Sequence, residues 1–283
     1  MSTSSRPLHI FGTLWSLRQY PTKSREWSWV KKFAAIADAG CDGLFSAPIP
    51  ELAERGGLQY LAVASFSRPG PVKAQFRAAK KLGAVALGIQ LGDTDSKLAD
   101  MIKLAIHIDA VARDFDLPYA IETHRDTFTE TPENTLALTR GFRHQRKTTL
   151  PLCLDHSHFA VVRHHAPGTY WERLRKPVEF LNAATQFHLR PFNGHHCQIP
   201  VLTPAGKRTP EYRDWLTYLE GLFTHLHTRN TTTPVLAVPE LGNAAPAYGL
   251  SCFGDTWLDA QALIKDLRRM WKSTQPGVTS LLP

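Results

Sequence analysis

The sequence predicts an α/β protein folded as a single (β/α)8 TIM barrel. Three observations carry that expectation. Eight short, nearly continuously apolar runs are spaced along the whole chain. Segments of helical period alternate with them, as parallel strands buried on both faces require. No glycine-rich phosphate turn follows the first run, where Gly12-Thr13-Leu14 stands, so a doubly wound open sheet is the weaker alternative.

The runs are residues 8–14, 43–47, 60–66, 85–91, 119–123, 152–155, 185–192 and 235–239. Several of the intervening helices announce their starts. Thr131-Pro132-Glu133 offers an N-cap, a proline at the first helical position and an early acid. Thr209-Pro210-Glu211 repeats the signal ahead of Trp215, Leu219, Leu222, Phe223 and Leu226, which share one helical face. Asp255 is the expected cap of the last helix, whose stripe is Ala260, Leu263, Leu267, Met270 and Trp271. Such stripes are expected to pack onto the barrel. The longest irregular stretch, 193–208, follows the seventh strand and would wall a site at the C-terminal face of the barrel.

With 283 residues, 43% hydrophobic and 20% charged, the chain has an ordinary globular composition. No low-complexity linker divides it, so residues 1–283 are expected to form one domain. The N-terminal MSTSSRPLHIFGTLW lacks the apolar core of a secretory signal, and no run approaches the length of a membrane span. Cys41, Cys153, Cys197 and Cys252 stand far apart, a pattern that suits reduced thiols. The expected location is cytoplasmic, without membrane association, and a homo-oligomer is compatible with the chain. The net charge of +8 invites a nucleic-acid partner, yet Lys and Arg are scattered. The tightest basic group, Arg140 to Lys147, falls at a predicted helix end, where it complements the helix dipole.

Polar residues at the C-terminal ends of barrel strands converge on one pocket. Glu122, Asp155, His188 and Glu240 occupy such ends on the last four strands. A lone acid there could cap the next helix or pair with an arginine. Four on consecutive strands point instead to a cation, because burying three carboxylates together is costly without one. Three carboxylates and one imidazole suit Mn2+, Co2+ or Mg2+, with Zn2+ also possible.

These strand ends resemble the xylose isomerase-like TIM-barrel superfamily, which includes sugar isomerases, ketohexose epimerases, inosose dehydratases and abasic-site endonucleases. The resemblance spans nearly the whole chain. It rests on Glu122-Thr123-His124-Arg125, Asp155-His156-Ser157-His158, Phe187-His188-Leu189-Arg190 and Pro239-Glu240-Leu241-Gly242. It implies one divalent ion held by Glu122, Asp155, His188 and Glu240, with Glu122 and Glu240 also serving as catalytic acid and base. His158, the histidine of the family's D-x-x-H, is implied as a proton shuttle or ligand of a substrate oxygen. His124, Arg125 and Arg190 are further candidates for substrate binding, as is Gln198. The last lies with His195 and His196 in the long loop, where a His-His pair is more often simply solvated.

The implied activity is a sugar isomerase or epimerase working through an enediolate on a small sugar or sugar derivative. A metal-dependent lyase or dehydratase acting on a keto-sugar or keto-glycoside is the alternative, with His158 or His124 as its acid. The abasic-site endonuclease branch needs extra histidines on the third and fourth strands and a later D-x-H. This chain has Ser65 and Gln90 near those ends and no D-x-H after His188, which argues against nucleic acid. Gly194, Gly242 and Gly249 are isolated and make no phosphate cradle, so a non-phosphorylated sugar is expected.

Overall fold

The computed structural model describes residues 6–229, 231–242 and 253–277; Gly249 and Cys252 lie outside them. Eight parallel strands close into a barrel in chain order: β1 (Leu8–Thr13), β2 (Gly43–Ser46), β3 (Gln59–Phe66), β4 (Ala84–Leu91), β5 (Tyr119–Glu122), β6 (Leu152–Leu154), β7 (Ala184–His188) and β8 (Val235–Val238). The ring is sealed where β1 pairs with β8, with Leu8 opposite Val235.

The helices are α1 (Trp29–Asp38), α2 (Val72–Lys81), α3 (Leu98–Asp114), α4 (Pro132–Arg146), α5 (His156–Val162), α6 (Tyr170–Leu174), α7 (Val178–Ala183), α8 (Pro210–Thr228) and α9 (Thr256–Ser273). Thr131, Thr209 and Asp255 cap α4, α8 and α9 as their sequence contexts predict, each side-chain oxygen accepting an amide of the first turn. The stripe of α8 is buried at Trp215, Leu219, Leu222, Phe223 and Leu226. The basic end of α4 is a solvated face. Arg140 pairs with Glu179 and Arg146 with Asp109, while Lys147 closes the helix in the left-handed region.

Two elements depart from the expectation. Between β2 and β3 only a 3-10 turn, Pro50–Glu54, takes the place of a helix. Pro48 and Pro50 restrict its start, and Gly56-Gly57 dissolves its end. The seventh strand was expected to run to 192 but ends at His188. Leu189 still donates to the Val238 carbonyl at 2.8 Å, after which Pro191 has no amide to continue the ladder.

Alternation along the strands builds two apolar layers. Phe11, Phe45, Leu61, Ala86 and Val238, from five different strands, fill the barrel interior. Ile10, Leu44, Tyr60, Ala62 and Leu87 point outward into the much larger layer beneath the helices. Gly43 makes room for the interior plug, since a Cβ there would lie 2.7 Å from the Phe11 ring. Phe11→Ala leaves a cavity at the centre of this plug and is expected to cost about 3–5 kcal/mol in urea unfolding.

Candidate metal centre and active site

Each of the four acidic or imidazole side chains stands at the end of a strand or one to two residues beyond it. Glu122 and His188 are the last residues of β5 and β7. Asp155 follows β6, and Glu240 stands two residues past β8. One ligand-capable atom from each lies within 4.8 Å of all the others. His188 Nδ1 is 2.9 Å from Glu122 Oε1 and 2.9 Å from Glu240 Oε2. All four residues are buried, at 8% exposure or less.

The backbone behind the cluster is fixed by side chains. The Thr123 hydroxyl donates to the Asp155 carbonyl and accepts the Asp155 amide at 2.9 Å, which ties the ends of β5 and β6 together. The Thr129 hydroxyl donates to the Glu122 carbonyl. Phe45 packs edge-on to the His188 ring at 4.9 Å between centroids. Asp155 serves two purposes at once: Oδ1 accepts the Ser157 amide at 2.9 Å and caps α5, while Oδ2 faces the cluster. The helix cap and the ion pairs of this acid coexist because they use different oxygens, Oδ1 for the cap and Oδ2 for the pairs.

Burial works to raise all three carboxyls, and neighbouring cations outweigh it. His188 holds Glu122 below the usual carboxylate range. Arg190 and His158 hold Asp155 well below it, and Arg190 and His188 do the same for Glu240. Burial works to lower the His188 imidazole, but Cys153, Glu122 and Glu240 carry it well above its ordinary value. Burial lowers His158 against the opposing pull of Asp155, and it lowers His156, beneath the cluster, to about 4. His156 Nδ1 lies 2.8 Å from the Tyr218 hydroxyl.

The donor set fits a divalent ion. Glu122 Oε1 and Oε2, Asp155 Oδ2, His188 Nδ1 and Nε2, and Glu240 Oε2 are all buried without a hydrogen bond. Most of these atoms lie in ion-pair contact with one another or with Arg190 and His158 yet make no regular hydrogen bond, and buried polar atoms in that state call for a further partner. Three carboxylate oxygens and one imidazole nitrogen are the partners that Mn2+, Co2+ or Mg2+ takes, and Zn2+ is compatible.

Glu122, His188 and Glu240 form part of the wall of a cavity of about 750 Å3. Its other walls include Trp15, Trp29, Lys32, Phe45, Ser65 and Gln90. Ser65 donates to Gln90 Oε1 at 3.0 Å, so the third and fourth strand ends hold a neutral polar pair. The sequence singled out none of Trp15, Trp29, Lys32 and Phe45. Trp15, just past β1, and Phe45, near the end of β2, stand at the same end of the barrel as the ligand candidates of β5 to β8, and that position was a usable signal. Lys32, on α1, is 3% exposed and paired with Glu26, and nothing in the sequence marked it.

The other expected site residues separate. His158 lies against the cluster, Nε2 being 3.3 Å from Asp155 Oδ2, and His124 packs over it with ring centroids 4.5 Å apart. Arg125 is exposed on the loop after β5. Arg190 is fully buried, its Nη2 at 3.1 Å from Asp155 Oδ2 and 2.8 Å from Glu240 Oε2. His195 and His196 are exposed, their amides donating to Asn193 Oδ1.

Gln198, expected at the substrate, is instead committed to backbone. Its Nε2 donates to the Gly242 carbonyl at 3.0 Å, and its Oε1 accepts the Gly242 amide at 2.7 Å. The long loop is thereby bolted to the segment after β8. Gly242 admits no side chain, because a Cβ there would lie 2.4 Å from the Trp15 ring. The Ser16 hydroxyl also donates to the Leu241 carbonyl, so two other segments position Glu240.

Three outcomes are expected. Gln198→Leu orphans both backbone groups of Gly242 and lowers stability by about 1–3 kcal/mol in urea unfolding. Its KM changes little compared with its stability if the residue is a strut. In the metal-free protein, His188 holds its proton above its ordinary value, so its contribution is full at low pH and fades as pH rises through the raised value. The depressed carboxylates contribute above about pH 4 and fail as pH falls. Metal-free stability therefore peaks between those limits. Ligation requires His188 to lose its proton, so calorimetry in buffers of differing ionisation enthalpy should show about one proton released per Mn2+ bound, with affinity rising with pH.

No protein-family model and no curated protein matches the sequence. Solved structures do match the fold. An L-ribulose 3-epimerase is 12% identical, with a TM-score of 0.61 over 98% of this chain and 100% of its own. The probable 3-DHS dehydratase AsbF of petrobactin synthesis from Bacillus anthracis is 13% identical, with a TM-score of 0.58 over 92% of this chain and 98% of its own. A xylose isomerase-like TIM-barrel protein from Mycobacterium smegmatis, in complex with magnesium, is 13% identical, with a TM-score of 0.55 over 93% of this chain and 98% of its own. The chain has the fold of the xylose isomerase-like TIM barrels.

Proposed function

We propose that the protein is a divalent-metal-dependent sugar isomerase or epimerase in which Glu122 and Glu240 act as acid and base. The observation that carries this reading is the buried Glu122–Asp155–His188–Glu240 cluster opening onto a cavity large enough for a sugar or sugar derivative. The L-ribulose 3-epimerase and the magnesium complex among the similar structures support it at the level of fold.

A bound divalent ion would polarise neighbouring carbonyl and hydroxyl oxygens of a sugar. The residues do the rest. One glutamate removes the proton from the carbon beside the carbonyl, and the electron pair left behind forms an enediolate. The other glutamate returns a proton to the opposite face, which inverts that carbon, or to the adjoining carbon, which moves the carbonyl. In this reading His158, whose Nε2 lies 3.3 Å from Asp155 Oδ2, exchanges a proton with a substrate oxygen. Trp15 and Phe45 give the cavity wall an apolar face beside Glu122, His188 and Glu240.

A lyase acting on a keto-sugar or keto-glycoside is the second reading. The close His124–His158 pair favours it by supplying an acid for a leaving group, and the probable dehydratase shares the fold. Both readings begin with removal of the same proton, and product analysis separates them: a dehydrated product means lyase, and an isomeric ketose means epimerase or isomerase.

The experiment is a panel of ketoses and keto-glycosides assayed with Mn2+, Co2+ and Mg2+, for the native protein and for Glu122→Gln and Glu240→Gln. Each variant is expected to lose about 10²–10⁴-fold in kcat. Both should also lose bound metal in elemental analysis. Survival of metal content and turnover in both variants rejects the reading.

A further inference from the structure

Arg190 is the one arginine among the residues around the cluster that is wholly removed from solvent, its side chain 0% exposed. It reaches the cluster because it follows His188 by two residues, and the chain stays extended at Leu189, which still donates to Val238 at 2.8 Å. Its guanidinium carbon then lies 5.7 Å from the centroid of the Trp15 ring, the same ring that packs on Gly242. From this position a single nitrogen, Nη2, bridges Asp155 Oδ2 at 3.1 Å and Glu240 Oε2 at 2.8 Å. The contact of Nη2 with Asp155 Oδ2 and Glu240 Oε2 is an ion pair without regular hydrogen-bond geometry. Arg190 thus acts on ligand oxygens, not on the open cavity, in a setting where a guanidinium remains charged at every accessible pH.

We infer that Arg190 is a resident counter-cation that shares with the metal the neutralisation of the three carboxylates, and so sets both the affinity and the charge preference of the metal site. The inference rests on the metal reading of the cluster. With His188 neutral as a ligand, three carboxylates, one guanidinium and a divalent ion sum to zero. Without Arg190, the loaded site would carry a net negative charge in a buried setting, where unbalanced charge is costly. Arg190 therefore weakens metal binding through repulsion between like charges, while stabilising the fold when no metal is bound. This division of labour also removes Arg190 from the set of groups that receive the substrate, so sugar recognition falls to the cavity walls.

The sign of the effect makes it testable, because structural damage weakens a metal site whereas loss of a neighbouring positive charge tightens it. Mn2+ binding is measured by the electron paramagnetic resonance signal of free Mn2+ for the native protein, Arg190→Gln and Arg190→Lys, alongside thermal unfolding with and without Mn2+. Arg190→Gln is expected to bind Mn2+ at least tenfold more tightly, to melt lower when metal-free, and to gain more from added Mn2+ than the native protein does. Arg190→Lys, which keeps the charge, is expected to stay within about threefold of the native dissociation constant. Equal or weaker Mn2+ binding by Arg190→Gln overturns the inference. So does failure of that variant to fold in millimolar Mn2+, since the ion should take over the charge that Arg190 carries. If the native protein itself binds no Mn2+, the metal reading fails first, which keeps the two failures apart.

Discussion

Mutual repulsion among three buried carboxylates is the constraint that organises the functional end of this barrel. Glu122, Asp155 and Glu240 are each 8% exposed or less, and one donor atom of each lies within 4.8 Å of the others and of His188. An apolar interior would not hold three such charges unaided. The cluster persists because cationic groups are interleaved with it. His188 stands between two glutamates, and Arg190 between Asp155 and Glu240. Those contacts keep the carboxylates ionised despite burial, which is the state that both metal ligation and general-base chemistry require.

Holding these groups within reach of one another demands rigid strand ends, and the surrounding contacts supply the rigidity. The reciprocal Thr123–Asp155 bonds lock β5 to β6. The Gln198 amide clamps Gly242, Trp15 covers that glycine, and the Ser16 hydroxyl holds the Leu241 carbonyl. Glu240 is therefore positioned from two separate parts of the chain, although it stands beyond the last hydrogen bond of its own strand. The long loop after β7 gains its order in the same way, with Asp259 of α9 accepting the amides of Val201 and Leu202. These bonds fix the backbone beside Asp155 and Glu240, and pre-organisation of this kind is what a proton-transferring site requires.

Much of this was legible in the sequence, for identifiable reasons. Strands buried on both faces leave continuous apolar runs, and N-caps leave Thr-Pro-Glu signatures, so the barrel order and the starts of α4 and α8 could be read directly. The four ligand candidates were legible because a barrel gathers its strand ends, which makes four acids and imidazoles in register a joint signal. What could not be read was which partner each polar side chain would choose. Gln198, read as a substrate contact, bonds the backbone of Gly242, and Arg190, read likewise, pairs with Asp155 and Glu240. Both outcomes depend on contacts far away in sequence, Gln198 and Gly242 being 44 positions apart. Lys32 and the missing helix between β2 and β3 were unreadable for a similar reason. One is set by tertiary packing of α1, and the other by prolines and glycines whose combined effect outweighs the helical tendency of Glu51-Leu52-Ala53-Glu54.

The most direct test of the account is the anomalous diffraction map of a crystal soaked with Mn2+ and a ketose. The account predicts one strong manganese peak, at about 2.0–2.4 Å from Glu122, Asp155, His188 and Glu240 together, with two substrate oxygens completing its coordination between the glutamates. A crystal that takes up no manganese at these four residues, or holds it elsewhere while the sugar is turned over, contradicts it.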